Sequence, residues 1–346
     1  MSAAGEGAVV VAPDSFKGTF TASEAGEAIA QGLRAAGVGR ALVAGVADGG
    51  EGTLDVLAGA IGAELRTVAV HDPLGRRIEA SYALGPGGVT AVVEVARAAG
   101  LGLVAAAERD PWRASSAGVG ELIVAARDAG AGEILLGLGG SATTDGGAGA
   151  IAAIERGGGL RGTRLILLCD VRTPFEAAAA VFAPQKGADR ETVGRLSRRL
   201  EDQAGALPRD PRGVPMTGAA GGLSGGLWAR FGAELVAGSD YVLDRLGFDR
   251  LLEGAMAVVT GEGRLDAQTR AGKAASAVTG RAVRAGVAVH AVVGENALAE
   301  EEWRRMGLAS VREAGTAAAL TAAGRELAGV LLEEGSGGGP SRERRR

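Results

Sequence analysis

Val9-Val10-Val11-Ala12-Pro13-Asp14-Ser15-Phe16-Lys17-Gly18, followed closely by Thr21-Ala22-Ser23-Glu24, is the stretch on which the fold turns. Four apolar residues read as a buried strand, and Pro13 stops it. A polar loop carrying Asp14, Ser15 and Lys17 then lies at the carboxyl end of that strand. Thr21 and Glu24 have capping-box spacing, and Gly37 is placed to end the helix they begin. Strand, polar loop and capped helix make the α/β unit. The unit repeats at once: Ala41 to Ala47 reads as a strand running into Asp48-Gly49-Gly50-Glu51-Gly52-Thr53, ahead of a helix from about Leu54 to Gly59.

The pattern returns near the other end of the chain. Ala257 to Val259 runs into Thr260-Gly261-Glu262-Gly263-Arg264-Leu265-Asp266. Glycines with positive φ at such an exit would bring backbone N–H groups to an anion, and Glu262 and Asp266 would hold a hard cation beside it. A plain glycine turn with solvated charges is the alternative. Gly272-Lys273 places a further cation ahead of an Ala-rich helix (Ala274 to Ala285), which is followed by a strand (Val287 to Val293) and a last helix (Thr316 to Glu334).

Between these ends the pattern changes. Leu65 to Val70, Arg77 to Leu84 and Val89 to Val95 read as an antiparallel patch. A helix from Gly118 to Ala129, capped by Ser115 or Ser116, precedes a strand (Ile134 to Leu138) whose exit loop is Gly139-Gly140-Ser141-Ala142-Thr143-Thr144-Asp145-Gly146-Gly147. Leu165 to Cys169 is another strand, ending at Asp170. Pro184-Gln185-Lys186-Gly187-Ala188 sets an amide and a cation in a turn before a helix capped by Asp189. The expected architecture is α/β in two domains. Residues 1–70 and 253–334 form a discontinuous, doubly wound, flavodoxin- or Rossmann-like parallel sheet. Residues 71–252 form an inserted mixed-sheet domain with glycine-rich loops, and residues 335–346 a disordered tail.

Composition narrows the chemistry. With 47% hydrophobic residues, 3% aromatics and 60 glycines in 346 residues, the core is built of Ala, Val, Leu and Ile, as in a many-layered α/β protein. The 37 basic and 41 acidic residues are interspersed, so there is no basic face for nucleic acid or anionic lipid. No apolar run approaches the roughly 20 residues that span a bilayer. Met1 to Gly7 has no signal-peptide character, and the single Cys169 fits a reducing compartment, so the expected location is the cytoplasm. His71 and His290 are too few for a metal cluster, and no Ser/His/Asp or Cys/His pattern is present.

Ligands of open α/β sheets bind outside the carboxyl ends of the strands, where most of these polar clusters lie. Gly137-x-Gly139-x-x-Ala142 matches the alanine variant of the dinucleotide fingerprint, but no strand ending in an acidic residue follows at the expected distance. There is no GxxxxGK[ST] motif, so a kinase would need a cradle other than the Walker type.

Taken together and in order, Ala12 to Gly18, Ala47 to Thr53, Gly139 to Gly147, Cys169-Asp170-Val171, Pro184 to Ala188, Gly218 to Leu223 and Thr260 to Thr269 with Gly272-Lys273 resemble the type 1 glycerate kinase family. The resemblance runs from about Val9 to Glu334. It implies transfer of the γ-phosphate of ATP to D-glycerate with magnesium, giving 2-phosphoglycerate in most members, with 3-phosphoglycerate the other outcome. It also implies two α/β domains with the active site in the cleft between them. The chain departs from the family pattern at Thr144, where Asn is usual, and at Ala183, where Gly is usual. It is also shorter between Ala150 and Leu165 and around Thr173 to Ala177.

Phosphoryl transfer requires a cation on the transferring group, carboxylates for magnesium and a base near the acceptor hydroxyl. On the resemblance, Lys17 meets the phosphoryl group, and Asp14, Glu262, Asp266 and Asp170 lie in or near the magnesium shell. N–H groups of Gly49, Gly50, Gly52, Gly139, Gly140 and Gly146, with Lys273, hold phosphates. Arg264 or Lys186, with Gln185, Ser15 and Ser141, binds glycerate, and Asp145 or Asp48 orients or deprotonates its hydroxyl. The partners expected are the two small substrates, with no nucleic acid or membrane, on a monomer or homodimer. Two rivals stand: a dinucleotide-dependent oxidoreductase of a small hydroxy acid, and a non-catalytic sensor of glycerate or nucleotide.

Overall fold

The computed structural model describes residues 7–267, 269 and 273–337, with side chains to residue 333. Gly272 and residues 338–346 of the expected tail lie outside the described residues. The chain begins β1 (Val9–Pro13), α1 (Ala22–Ala35), β2 (Ala41–Val43), α2 (Thr53–Ile61), β3 (Glu64–His71), β4 (Arg77–Leu84), β5 (Thr90–Glu94) and α3 (Val95–Ala99). It continues α4 (Ala117–Asp128), β6 (Glu133–Gly137), α5 (Ala148–Arg156), β7 (Arg164–Leu168), α6 (Ala178–Phe182), α7 (Arg190–Ala206), α8 (Leu223–Phe231), β8 (Glu234–Val236) and α9 (Gly238–Arg245). The last part is α10 (Phe248–Leu252), β9 (Ala257–Leu265), α11 (Ala274–Arg284), β10 (Val289–Asn296), α12 (Glu300–Arg305), β11 (Leu308–Glu313) and α13 (Ala317–Gly337). Among the described residues, no helix is long and apolar enough to cross a membrane.

The chain divides into two compact units, one of residues 1–46 and 246–346, the other of residues 47–245. In the first unit the sheet order is β2-β1-β9-β10-β11, and every pairing is parallel. Counted within that sheet the order is 2-1-3-4-5, the flavodoxin-like form of the doubly wound fold. Its order reverses between β1 and β9, and ligands bind at such a reversal. The capping box is formed as read: the Thr21 hydroxyl accepts the Glu24 N–H at 3.1 Å, and Glu24 accepts the Thr21 N–H at 2.8 Å. Val9, Val11, Ile29, Leu33, Val259 and Leu327 are fully buried in this unit's core.

The second unit has one six-stranded sheet in the order β3-β4-β5-β6-β7-β8. Its first two pairings are antiparallel and the rest parallel, so the sheet is mixed. Val93, Leu122, Ile123, Ile134, Leu136 and Leu167 are fully buried in a separate core. The units divide at 46/47 and 245/246, earlier at both crossings than the expected 70/71 and 252/253. The physical reason at the first crossing is β3: all eight of its residues pair with β4, which draws α2 and β3 into the mixed-sheet unit.

Three local expectations change. The strand expected to end at Val259 runs on to Leu265, with Val293 opposite Glu262 and Glu295 opposite Arg264 on β10. Gly261 and Gly263 are therefore strand residues, and neither has positive φ. Gly261 serves a close approach instead, since a Cβ there would stand 2.2 Å from the Val292 carbonyl oxygen. β11 escaped notice because it is an edge strand, Leu308-Ala309-Ser310-Val311-Arg312-Glu313, without apolar alternation. Finally, α13 continues to Gly337, so residues 335–337 are helical rather than part of a disordered tail.

Candidate active site

The first unit gathers its candidates where β1 ends beside β9, which runs on paired with β10. Pro13 is paired with Gly261, and the Asp14 N–H donates to the Gly261 carbonyl at 2.8 Å, which brings Asp14 to the level of Glu262. Asp14 is buried and its carboxylate accepts the Ser15 N–H at 2.6 Å. Lys17 is exposed on the tight turn closed by hydrogen bonding between Phe16 and Phe20. Glu262 is buried: one oxygen accepts the Thr269 hydroxyl at 2.7 Å, and the other lies 3.5 Å from the Lys273 ammonium. Burial raises the Glu262 pKa, against the pull of Thr269 and Lys273. Lys273, expected on phosphate, is thus already drawn to a carboxylate. Arg264 is exposed, 3.3 Å from Glu295 and 3.7 Å from Asp266.

In the second unit the glycine loops pack backbone on backbone. The Gly139 N–H donates to the Gly49 carbonyl at 3.1 Å, and a Cβ on Gly139 would stand 2.3 Å from the Gly50 Cα. The Gly50 N–H donates to Asp48 Oδ1 at 2.8 Å, and the Gly146 N–H to the Gly221 carbonyl at 3.1 Å. The amides of Gly50, Gly139 and Gly146 thus have acceptors inside the protein. Gly49, Gly52 and Gly140 all have positive φ, and Gly52 opens α2. The N-terminus of α2 also meets an internal anion, since Glu94 accepts the Leu54 N–H at 2.7 Å. Glu94 is buried, which raises its pKa. Sequence reading passed over Glu94 because it closes an apolar strand.

Asp48 and Asp170 are neighbouring carboxylates. Asp170 accepts the Ser239 N–H at 3.1 Å and the Ser239 hydroxyl at the start of α9; burial first, and then the charge of Asp48, push its pKa to about 6. Asp145, expected with Asp48 to orient or deprotonate the acceptor hydroxyl, is held by several donors. One of its oxygens accepts the Ser116 N–H at 2.9 Å, the Ser116 hydroxyl at 2.8 Å and the Gly149 N–H at 3.2 Å, and the other accepts the Gly147 N–H at 3.1 Å. A carboxylate so committed ties the loop to the starts of α4 and α5. Ser116 was read as a helix cap, but its hydroxyl serves Asp145 and accepts the Ala150 N–H at 3.0 Å. Lys186, read as a ligand on a surface turn, is buried, and its ammonium donates to the Thr143 carbonyl at 2.5 Å. Gln185 is exposed, and the Ser141 and Thr143 hydroxyls are 2.9 Å apart.

Among the described residues, no group of three or more His, Cys, Asp or Glu side chains is arranged to hold a metal. Both Glu262 oxygens already face Thr269 and Lys273. The dinucleotide fingerprint lacks its structural context. The helix after β6 begins only at Ala148, well past Ala142, whereas the fingerprint turn itself opens a helix.

The model of the glycerate kinase family matches residues 9–157 and 157–333. The chain belongs to the glycerate kinase family. It is 38% identical over 323 residues to the glycerate kinase of Halalkalibacterium halodurans, covering 83% of this chain and 85% of the relative. It is 37% identical over 301 residues to the glycerate 2-kinase of Escherichia coli K12, covering 77% and 79%. A solved structure of a candidate glycerate kinase 2 from Salmonella typhimurium LT2 superposes with a TM-score of 0.82 at 34% identity, covering 95% of this chain and 99% of that one.

The family match is in two pieces that meet at Gly157, inside the segment read as shortened. There residues 157–163 join α5 to β7, beginning with the turn of Gly157-Gly158-Gly159. The buried Arg127 guanidinium closes it by donating to the carbonyls of Gly157, at 2.9 Å, and Gly159.

Proposed function

We propose that this protein transfers the γ-phosphate of ATP to D-glycerate, giving 2-phosphoglycerate. The observation that carries the reading is Asp14 set beside Glu262 of β9 where β1 ends, at the reversal of a 2-1-3-4-5 sheet, with Lys17 following, in a chain of the glycerate kinase family. Phosphoryl transfer is mainly positioning and charge neutralisation. Lys17 neutralises the transferring phosphoryl group, and Arg264 takes the glycerate carboxylate. Asp14 and Asp266 would hold magnesium, whose contribution when bound is to offset charge on the phosphates.

The test is incubation of the purified protein with Mg-ATP and D-glycerate, followed by enolase alone, which accepts 2-phosphoglycerate but not its 3-isomer. Enolpyruvate absorbance is the expected result. Glycerate-dependent ADP without that absorbance assigns another product. Glycerate binding with no ADP would turn the protein into the sensor reading and sink the kinase.

A further inference from the structure

Apart from the residues expected for the site, the second unit carries a polar pocket of about 550 Å³, walled by the segment that joins α3 to α4 and by the start of α7. Two arginines line it, Arg109 and Arg113. Among the described residues, neither side chain makes a hydrogen bond or an ion pair. Arg113 is exposed; Arg109 is partly buried, and its Nε is closed off from solvent with no acceptor. Other arginines of this unit with buried atoms are met by the chain itself: Arg127 reaches the carbonyls of Gly157 and Gly159, and Arg199 those of Trp112 and Thr144.

Carboxylates stand in the same pocket, but each is held by other donors. Both Glu108 oxygens lie 3.2 Å from Arg76. Asp110 accepts the N–H groups of Trp112 at 3.0 Å and Arg113 at 3.1 Å, and Asp189 caps α7 through the Thr192 N–H at 2.8 Å. The two guanidiniums are left without a counter-charge in contact. A partly buried guanidinium is costly until its donors are met, and its planar fork fits the oxygens of a phosphate. Two forks in one pocket suit a dianion better than a single carboxylate. Asp189 and Thr192 of the first turn of α7 are on the pocket wall, which adds the positive end of a helix. Gly187 lines the pocket as well, with positive φ, and a Cβ there would stand 3.4 Å from the Arg109 Cβ. The cation expected in that turn, Lys186, is buried on the Thr143 carbonyl, so the positive charge of the pocket comes from Arg109 and Arg113.

We propose that Arg109 and Arg113 form a binding site for the phosphate group of a small molecule. The volume lies within the range of pockets that hold small organic ligands, about 300–1,000 Å³, and leaves room for a carrier beyond the phosphate itself. The site does not depend on the reading of the protein as a glycerate kinase.

The test titrates the full-length protein by calorimetry at constant ionic strength with 2-phosphoglycerate, ATP, inorganic phosphate and, as a carrier lacking phosphate, D-glycerate. Wild type is compared with Arg109→Gln and Arg113→Gln. Wild type is expected to bind a phosphorylated probe saturably, and each variant to bind it about 10-fold more weakly. The probe with the tightest arginine-dependent binding identifies the carrier, and inorganic phosphate bound as tightly as the organic phosphates would assign free phosphate. Arg113 is exposed, so its variant decides the matter if Arg109→Gln does not fold. In the wild type the Arg109 Nε–H resonance, assigned by its absence from Arg109→Gln or by elimination, is expected to shift with the same midpoint. Unchanged affinities in the folded variants overturn the proposal, as does an Arg109 resonance that stays still while the probe binds. A wild type that binds none of the phosphorylated probes also overturns it, and so does an equal loss for D-glycerate, which would mark a carboxylate site. Arginine-dependent phosphate binding without glycerate turnover sustains the site and removes only the kinase reading.

Discussion

Lys17 stands exposed beyond a turn whose backbone is fixed by Phe16 and Phe20, so its charge can be removed without disturbing packing. Lys17→Ala is predicted to lower kcat for glycerate by about 10²- to 10³-fold with an unchanged melting curve, the scale seen when a charge-stabilising group is lost. A steady-state assay beside a thermal melt decides it, and an intact kcat removes Lys17 from the mechanism. Lys186 carries a prediction of another kind. Burial holds its pKa down to about 7, with Asp145 opposing, against 10.5 in an exposed lysine. Between those values the unfolded chain holds a proton that the folded chain has shed. Stability contributed by this group therefore rises with pH through that window and is absent below it. Urea midpoints at about pH 7 and about pH 9 should separate further for wild type than for Lys186→Met. Parallel movement would mean that Lys186 does not titrate there. The position of Asp14 and Lys17 after β1 was legible in the sequence because an apolar run ends at Pro13 just before them, whereas Glu262, read the same way, lies inside β9. The partners of Asp145 and Lys186 were not, because Ser116, Gly149 and the Thr143 carbonyl reach them only through tertiary packing.

Elements with local chemistry were read closely. The Thr21–Glu24 box opens α1, and Asp189 caps α7 by accepting the Thr192 N–H at 2.8 Å. Thr21→Ala is predicted to cost about 1 kcal/mol of stability and to leave kcat unchanged, because that cap touches none of the candidate residues. Gly139→Ala is the contrasting variant: its Cβ would meet the Gly50 Cα at 2.3 Å, so the two loops must part. Overpacking of this sort costs about 1–3 kcal/mol. Here it should also lower kcat/KM, so chemical denaturation and kinetics together separate the two variants. If Gly139→Ala kept full activity, the contact between the loops would have no bearing on catalysis. The misread element is β9. A glycine after an apolar run looks like an exit, yet Gly261 stays in the strand because β10 comes too close for a side chain. Only the neighbouring strand reveals that, and one sequence segment does not contain its neighbour.

At the scale of the whole molecule, two sheets and a discontinuous first domain were legible from the return of the strand, loop and helix pattern at the far end of the chain. The crossing point was not, because the Asp48 loop imitates the Asp14 loop while the strand after it pairs elsewhere. The second unit has its own sheet and core in one continuous segment. A fragment of residues 47–245 is accordingly predicted to melt cooperatively by itself, and a non-cooperative or absent transition would show that its core depends on the flanking segments. The first unit has no such independence, and this has a consequence at the ribosome. Synthesis delivers β1, α1 and β2, then the whole second unit, and only afterwards β9, β10, β11 and α13. Until Ala257 to Leu265 emerge, β1 has β2 on one edge and nothing on the other, though its residues are among the most deeply buried in the finished protein. The unit that is started first is thus finished last. Through that interval the nascent chain exposes an apolar strand edge, the kind of surface that holding chaperones exist to shield.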